Sequence, residues 1–213
     1  MSTAYIRPFA FYDDSRIGLD VTGKKISVAL IAVPFGNYFA GKDKGITCKV
    51  SSWQRFNSAI LPPEAKACGN YLNSILASLE AKNAGVDEAI FLYTNGYVAE
   101  GPGENIFLVN NGKLITPSRD APILLGITRD SIIKIAENTG ITVEERNVHR
   151  EELYTSNEVF FTGTAVEIAP IKKVDSREVG NGKPGPITKT LVEKYYSIVS
   201  GNDPEFSSWL TYL

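Results

Sequence analysis

The chain moves between short runs rich in β-branched and aromatic residues, which read as strands, and stretches with apolar residues three and four apart, which read as helices. "YIRPFAFY" (Tyr5 to Tyr12, despite Pro8), the run around Ile26 to Val33 and "GITCKVSSW" (Ile46 to Trp53) predict three early strands. Residues 54–65 are irregular, with Pro62 and Pro63 marking a turn. Leu72, Ile75, Leu76 and Leu79 then fall at helical spacing and predict an amphipathic helix from about Gly69 to Asn83, with Gly85 as its stop. "DEAIFLY", "YVAEG", "ENIFLV" and "KLITP" follow as a meander. Two of its turns carry Asn-Gly, at Asn95-Gly96 and Asn111-Gly112, the strongest short hairpin signal. "GITRDSIIKIAENTG" predicts a second helix, with Thr128 as N-cap, Ile132, Ile135 and Ala136 as apolar face and Gly140 as stop. "ITVEERNV" is a strand and "REELY" a helical turn. "EVFFTGTAVEIAPIKKVD" holds two strands split by "TGTA", and Ile187 to Val199 form a last helix. With no linker or repeat, the pattern predicts one α+β domain over residues 1–213, antiparallel strands dominating.

Composition narrows the function classes. The 213 residues are 43% hydrophobic and 22% charged, ordinary values for a globular chain with one sizeable core. A net charge of −2, from 22 basic and 24 acidic residues, offers no nucleic-acid or polybasic membrane surface. No apolar stretch is long enough to span a bilayer, and the start does not read as a signal peptide. Cys48 and Cys68 lack close metal-ligand spacing and read as free thiols of a reducing cytoplasm. His149 is the only histidine, which argues against a His-based triad or a multi-histidine zinc site. Its charged setting, "NVHREELY", suits a surface or capping role, and no metal site is expected.

Four stretches carry candidate chemistry. Lys66 sits among Ala65, Ala67, Cys68 and Gly69 at a helix start, a setting that suggests an inward-facing amine. A lysine in a confined site can lose its proton and attack a carbonyl; a solvated lysine is the plainer reading. In "VAEGPGENIF", Glu100 and Glu104 flank Gly101 and Gly103, so a carboxylate can be fixed where the backbone approaches a ligand closely; a charged hairpin turn is the alternative. Gly126, Ile127 and Thr128 open a helix whose free N–H groups favour an anion, unless they are only its cap. Gly163, Thr164 and Ala165 place a hydroxyl-rich turn, or a β-bulge, inside an apolar run. A nucleophilic lysine, a carboxylate for a ring nitrogen and a two-part phosphate cradle are together what pyridoxal phosphate needs.

These motifs carry a close resemblance to the large, C-terminal domain of branched-chain amino acid aminotransferases, of the fold-type IV pyridoxal-phosphate class. It runs from "AYIRP" through "VSSWQR", "AKACGNYLNSILA", "GYVAEGPGENIF", "GITRD" and "LYTSNEVFFTGTAVEIAPI" to "GNGKPGPITK". The resemblance implies an α+β fold like the large domain of D-amino acid aminotransferase, an antiparallel-rich, β-barrel-like core with flanking helices. It makes Lys66 the Schiff-base lysine. Glu100 would pair with the pyridine nitrogen and Tyr71 with the cofactor's phenolic oxygen. Gly126, Ile127 and Thr128, with Gly163 and Thr164, would hold the phosphate. Tyr5 and Arg7 would recognise substrate carboxylates, Thr164 and Ala165 would help receive the α-carboxylate, and Trp53 would line the pocket.

The implied reaction moves the amino group of leucine, isoleucine or valine to 2-oxoglutarate, giving branched 2-oxo acids and glutamate. Lys66 would serve as base and acid between substrate Cα and the cofactor. The implied partners are amino acids and 2-oxo acids, with no nucleic acid or membrane, in a cytoplasmic homo-oligomer of two or more copies. Two departures stand out. Leu125 replaces a frequent proline, and no smaller N-terminal domain precedes "YIRP". In the family that domain supplies an arginine to the phosphate and walls of the substrate pocket. Without it, weak cofactor occupancy and low turnover are expected. The competing readings are another fold-type IV enzyme (a D-amino acid aminotransferase or aminodeoxychorismate lyase), which Tyr5 with Arg7 argues against, and a non-catalytic domain.

Overall fold

The structure is a computed structural model describing residues 4–36 and 38–212. The chain forms two compact units, residues 1–38 and 39–213. The first unit is a ribbon of β1 (Ala4–Tyr12) and β2 (Ile26–Pro34), paired antiparallel from Ala4 opposite Pro34 to Tyr12 opposite Ile26. Asp13 and Asp14 organise its loop: Ser27 Oγ donates to Asp13 at 2.8 Å, and Arg16 pairs with Asp14 at 2.8 Å.

The second unit is built on one mixed sheet. Its strands are β3 (Ile46–Val50), β4 (Glu88–Ile90), β5 (Asn105–Asn110), β6 (Lys113–Pro117), β7 (Val143–Arg146), β8 (Glu158–Gly163), β9 (Glu167–Val174) and the short β10 (Arg177–Glu178). The spatial order is β4-β3-β9-β8-β5-β6-β7, with β10 beside β9. Four pairings among the described residues are antiparallel (β5–β6, β5–β8, β8–β9, β9–β10) and three are parallel (β3–β4, β3–β9, β6–β7). Two parallel pairs follow helical crossovers, through α1 (Tyr71–Asn83) and α2 (Ile127–Asn138). The Asn111-Gly112 signal makes the β5–β6 hairpin as expected, with φ of 50° and 78° suiting a type I′ turn. Beyond β4, Leu92 bridges Val98, and Tyr97 bridges His149 just past β7. These bridges join the sheet's two ends and give the barrel-like closure.

Burial explains why the central strands read as unbroken apolar runs. Ile106, Leu108 and Phe161 face a core shared with Ile46, Cys48 and Ile90. Phe107, Val109 and Phe160 point the other way, toward Ile132, Ile135 and Ala136 of α2 and Leu191 and Ile198 of α4 (Pro186–Val199), which follows the short α3 (Glu152–Thr155) in the chain. Strands buried on both faces lose the polar alternation. The Phe107 and Phe160 rings stack at 5.2 Å. The α4 N-terminus is satisfied by Glu158, which accepts from Ile187 N at 3.0 Å and Thr188 N at 2.7 Å.

Two helix readings are corrected. The face of α1 that packs is Ser74, Ala77 and Ala81, while Leu72, Ile75 and Leu79 are exposed. Small side chains let the helix lie close to Ala89 and Phe91, so packing follows residue size, not the apolar stripe. On α2 the N-cap is the extended Gly126, and Thr128 lies inside the first turn. Cys48 is buried on β3 and Cys68 is exposed; both are free thiols.

Candidate functional site

Within the second unit a cavity of about 250 Å³ gathers residues from segments far apart in the chain. Lys66, Asn70, Tyr71 and Ser74 come from the start of α1, Glu100 to Asn105 from the turn before β5, Leu124 to Thr128 from the start of α2, and Thr162 to Thr164 from the end of β8. Lys66, Tyr71, Glu100, Gly126, Ile127, Thr128, Gly163 and Thr164, all singled out from sequence, therefore meet around one space.

Lys66 is placed by backbone geometry. It lies between two 3-10 turns, Pro63–Ala65 and Cys68–Asn70, and takes φ of 50°, uncommon for a side chain-bearing residue. Asn70 secures the bend by donating to Pro62 O at 3.0 Å. Lys66 Nζ donates to Tyr71 Oη at 3.3 Å. The expected crowded, inward setting is not found: Lys66 lines the cavity but is exposed, and so are its small neighbours. The small residues serve the tight backbone path between the turns.

Glu100 lies at the cavity's buried end, 2% exposed. Its Oε2 accepts from Leu124 N at 3.0 Å and Asn105 Nδ2 at 3.2 Å. Arg55 Nη2 is 2.8 Å from Oε1, an ion pair without hydrogen-bond alignment, so Oε1 has no hydrogen-bond partner. Burial pushes the Glu100 carboxyl up to about 7, against the pull of Arg55, the Leu124 amide and Lys66. Glu104, beside it, is pushed up to about 8 by burial and by the charge of Glu88. The charged-turn alternative for these glutamates fails, because both side chains are buried.

The other end of the cavity suits an anion. The first backbone bond of α2 runs from Asp130 N to Gly126 O, leaving the N–H groups of Ile127 and Thr128 outside the helical ladder. Gly163 faces them from the β8–β9 turn. A Cβ there would meet Val166 Cγ1 at 3.2 Å and Gly103 O at 3.3 Å, so glycine keeps this turn open. An exposed amine with a phenol, a buried carboxylate oxygen without an aligned hydrogen bond, and free helix N–H groups form a donor set that fits pyridoxal phosphate.

The remaining candidates stand elsewhere. Trp53 is 47% exposed after β3, and Ala165 follows Thr164 in the turn; neither lines the cavity. Tyr5 and Arg7 belong to the first unit, on β1, where Tyr5 packs on Phe35 at 5.1 Å and Arg7 lies 5.9 Å from the Tyr5 ring. His149 is exposed, edge-on to Tyr97 at 4.8 Å, a surface role as expected.

Arg55, Asn105 and Thr162 are among the cavity residues that escaped the sequence reading. Arg55, 7% exposed, lies over the Phe56 and Phe91 rings and donates to Ser74 Oγ at 3.2 Å. Asn105 ties Glu100 to Leu124 O, to which it donates at 2.7 Å. Thr162 is fully buried, and its hydroxyl has no hydrogen-bond partner. The one available signal was a polar residue at a position where its strand is otherwise apolar, as in "VFFTG".

Comparison with known proteins agrees with this geometry. Residues 1–174 match the family Amino-transferase class IV. A probable branched-chain-amino-acid aminotransferase of Aquifex aeolicus (strain VF5) is 46% identical over 208 residues, 97% of this chain and 67% of the relative. The branched-chain aminotransferase of the archaeon Thermoproteus uzoniensis, solved with norvaline, superposes with a TM-score of 0.94 at 47% identity, covering 98% of this chain and 68% of that one. The branched-chain amino acid aminotransferase of Thermobaculum terrenum, solved in its PLP-bound holo form, gives a TM-score of 0.92 at 41% identity, covering 98% and 68%. The chain thus spans about two thirds of the length of these relatives. It belongs to the class IV aminotransferases, with the branched-chain-amino-acid aminotransferases as its relatives.

Proposed function

We propose that the chain transaminates branched-chain amino acids with 2-oxoglutarate, using pyridoxal phosphate as its cofactor. The observation that carries the reading is Glu100: a buried carboxylate, paired with Arg55 but with no aligned hydrogen bond at Oε1, in the same cavity as the Lys66 amine. When bound, pyridoxal phosphate supplies an aldehyde that takes an amine covalently and a ring that draws electrons from the carbon being deprotonated.

The protein's share follows from its side chains. Lys66 Nζ is the amine that would hold the cofactor through its aldehyde. Once freed by the incoming amino acid, it would carry the proton between substrate Cα and the cofactor carbon, first as base and then as acid. Tyr71 Oη, 3.3 Å from that nitrogen, orients it and offers a hydrogen bond to the neighbouring phenolic oxygen. Glu100 accepts the ring N–H and keeps it protonated, which raises the ring's pull on electrons. The Ile127 and Thr128 N–H groups, with Gly126, Gly163 and Thr164, bind the phosphate. For Tyr5 and Arg7 as the substrate-carboxylate pair, for Trp53 as a pocket wall and for Ala165, support comes from the motifs that resemble the family.

The same reading includes amino acid and 2-oxo acid substrates and a cytoplasmic homo-oligomer. Two free thiols and the exposed leucine face of α1 support it. Among the described residues, no helix is long and apolar enough to cross a membrane. The test is an absorbance titration with pyridoxal phosphate, borohydride trapping, and a panel of L- and D-amino acid donors. A trapped adduct on Lys66 and conversion of L-leucine, L-isoleucine and L-valine are expected. Conversion of D-alanine in their place would assign a different class IV activity.

A further inference from the structure

The turn that completes the anion end has an unusual anchor. Glu167, which follows "TGTAV", takes φ of 59°, a region that side chain-bearing residues avoid. Two groups hold it there. Lys42 Nζ and Tyr196 Oη both donate to Glu167 Oε2. Lys42 Nζ also donates to Tyr196 Oη at 3.0 Å and approaches Val166 O at 3.4 Å. Lys42 is only 4% exposed, so its charge is placed where water cannot solvate it and must be met by this cluster. A 3-10 turn, Lys42–Lys44, delivers it, and Tyr196 comes from the C-terminal half of α4. The preceding residue on α4, Tyr195, packs against the cluster that holds Ile132 and Ile135 of α2. Two consecutive tyrosines therefore tie α4 to the two elements that carry the anion cradle, α2 and the 163–167 turn.

We propose that Tyr195 and Tyr196, with buried Lys42 and Glu167, act as a positioning clamp that fixes the spacing between the two halves of the phosphate cradle. None of the four lines the cavity, so each acts through α2 or through the turn that carries Gly163 and Thr164. The clamp rests on the function proposed above. Its distinguishing property is selectivity: releasing it weakens the grip on the phosphate and leaves the Lys66 and Glu100 end unchanged.

The test compares affinities for pyridoxal 5'-phosphate and for pyridoxal, which lacks the phosphate, by fluorescence titration. The proteins are the parent chain, Tyr196→Phe, Lys42→Met and Lys42→Arg. The parent prefers the phosphorylated ligand. Tyr196→Phe and Lys42→Met weaken it about tenfold, as misplaced cradle N–H groups lose part of their grip, while pyridoxal binding stays within about twofold. Lys42→Arg recovers part of the loss. Equal weakening for both ligands would make the cluster a general structural element and overturn the clamp; so would unchanged binding of both in well-folded variants. A parent chain with no preference for the phosphorylated ligand would sink the cradle reading, and the clamp with it.

Discussion

Replacing Glu100 with Gln isolates the electrostatic cost of burying that carboxylate. In the cofactor-free protein, burial lifts the group from an ordinary 4.5 to about 7. The folded state therefore holds a proton that the unfolded state has released throughout that interval. A raised folded-state value means stability that is full below pH 4.5 and lost as the pH climbs through 7. At about 1.4 kcal/mol for each pH unit between the two values, wild type loses roughly 2–3 kcal/mol between pH 5 and pH 8 on this account. Glu100→Gln has no such proton to lose. It does sacrifice the 2.8 Å pairing with Arg55, whose pull is already contained in the Glu100 value of about 7 and so adds no separate slope. Glu104 adds a slope of the same sign in both proteins. Urea unfolding of the cofactor-free pair at pH 5 and pH 8 reads the difference directly. The gap should move by about 2–3 kcal/mol in the variant's favour on going to pH 8. Parallel profiles would refute the argument that Glu100 is held against its own charge.

Lys66→Ala should abolish the borohydride-trapped adduct while leaving the unfolding midpoint nearly unchanged, since the side chain is exposed; a trapped adduct in the variant would assign the chemistry to another lysine. Thr162→Val should stabilise the cofactor-free protein slightly, by removing a buried hydroxyl that has no partner, and Thr162→Ser should not; a loss of more than about 1 kcal/mol for valine would mean that the hydroxyl is already satisfied. Gly126→Ala should destabilise by about 1–3 kcal/mol and weaken pyridoxal phosphate binding, because the new Cβ would fall 2.4 Å from Asn105 Oδ1 and push Asn105 off Glu100; wild-type values in melting and titration would contradict the placement. Arg7→Ala should reduce turnover of glutamate and 2-oxoglutarate more than that of leucine, since a guanidinium suits a second carboxylate; equal losses would make Arg7 structural.

What was legible in the chain depended on how local its cause was. Asn111-Gly112 specifies its own hairpin, and the glycines around Glu100 and Thr164 mark backbone that must bend sharply or stay open. Lys66 was legible because a lysine among small residues is locally odd. Arg55 was not, because its partner Glu100 lies far along the chain and nothing in "SSWQRF" distinguishes a buried guanidinium from a solvated one. Parallel pairing of β3 with both β4 and β9 was hidden for the same reason, as turn signals speak only for neighbouring strands. The error on α1 differed in kind. Periodicity located an apolar stripe correctly, but the interior took the Ser74, Ala77 and Ala81 face, where close approach outweighs hydrophobic area.

The unequal burial of the two cysteines makes the molecule a ready substrate for optical work. Cys48 is sealed in the core, where burial drives its thiol well above the ordinary range and out of reach of reagents. Cys68 is exposed, two residues beyond Lys66. A maleimide dye added to the native protein should attach at that one position without any engineering. It would sit two residues from the cavity-lining Lys66, so occupancy can be followed by the dye's emission even with ligands that have no colour of their own.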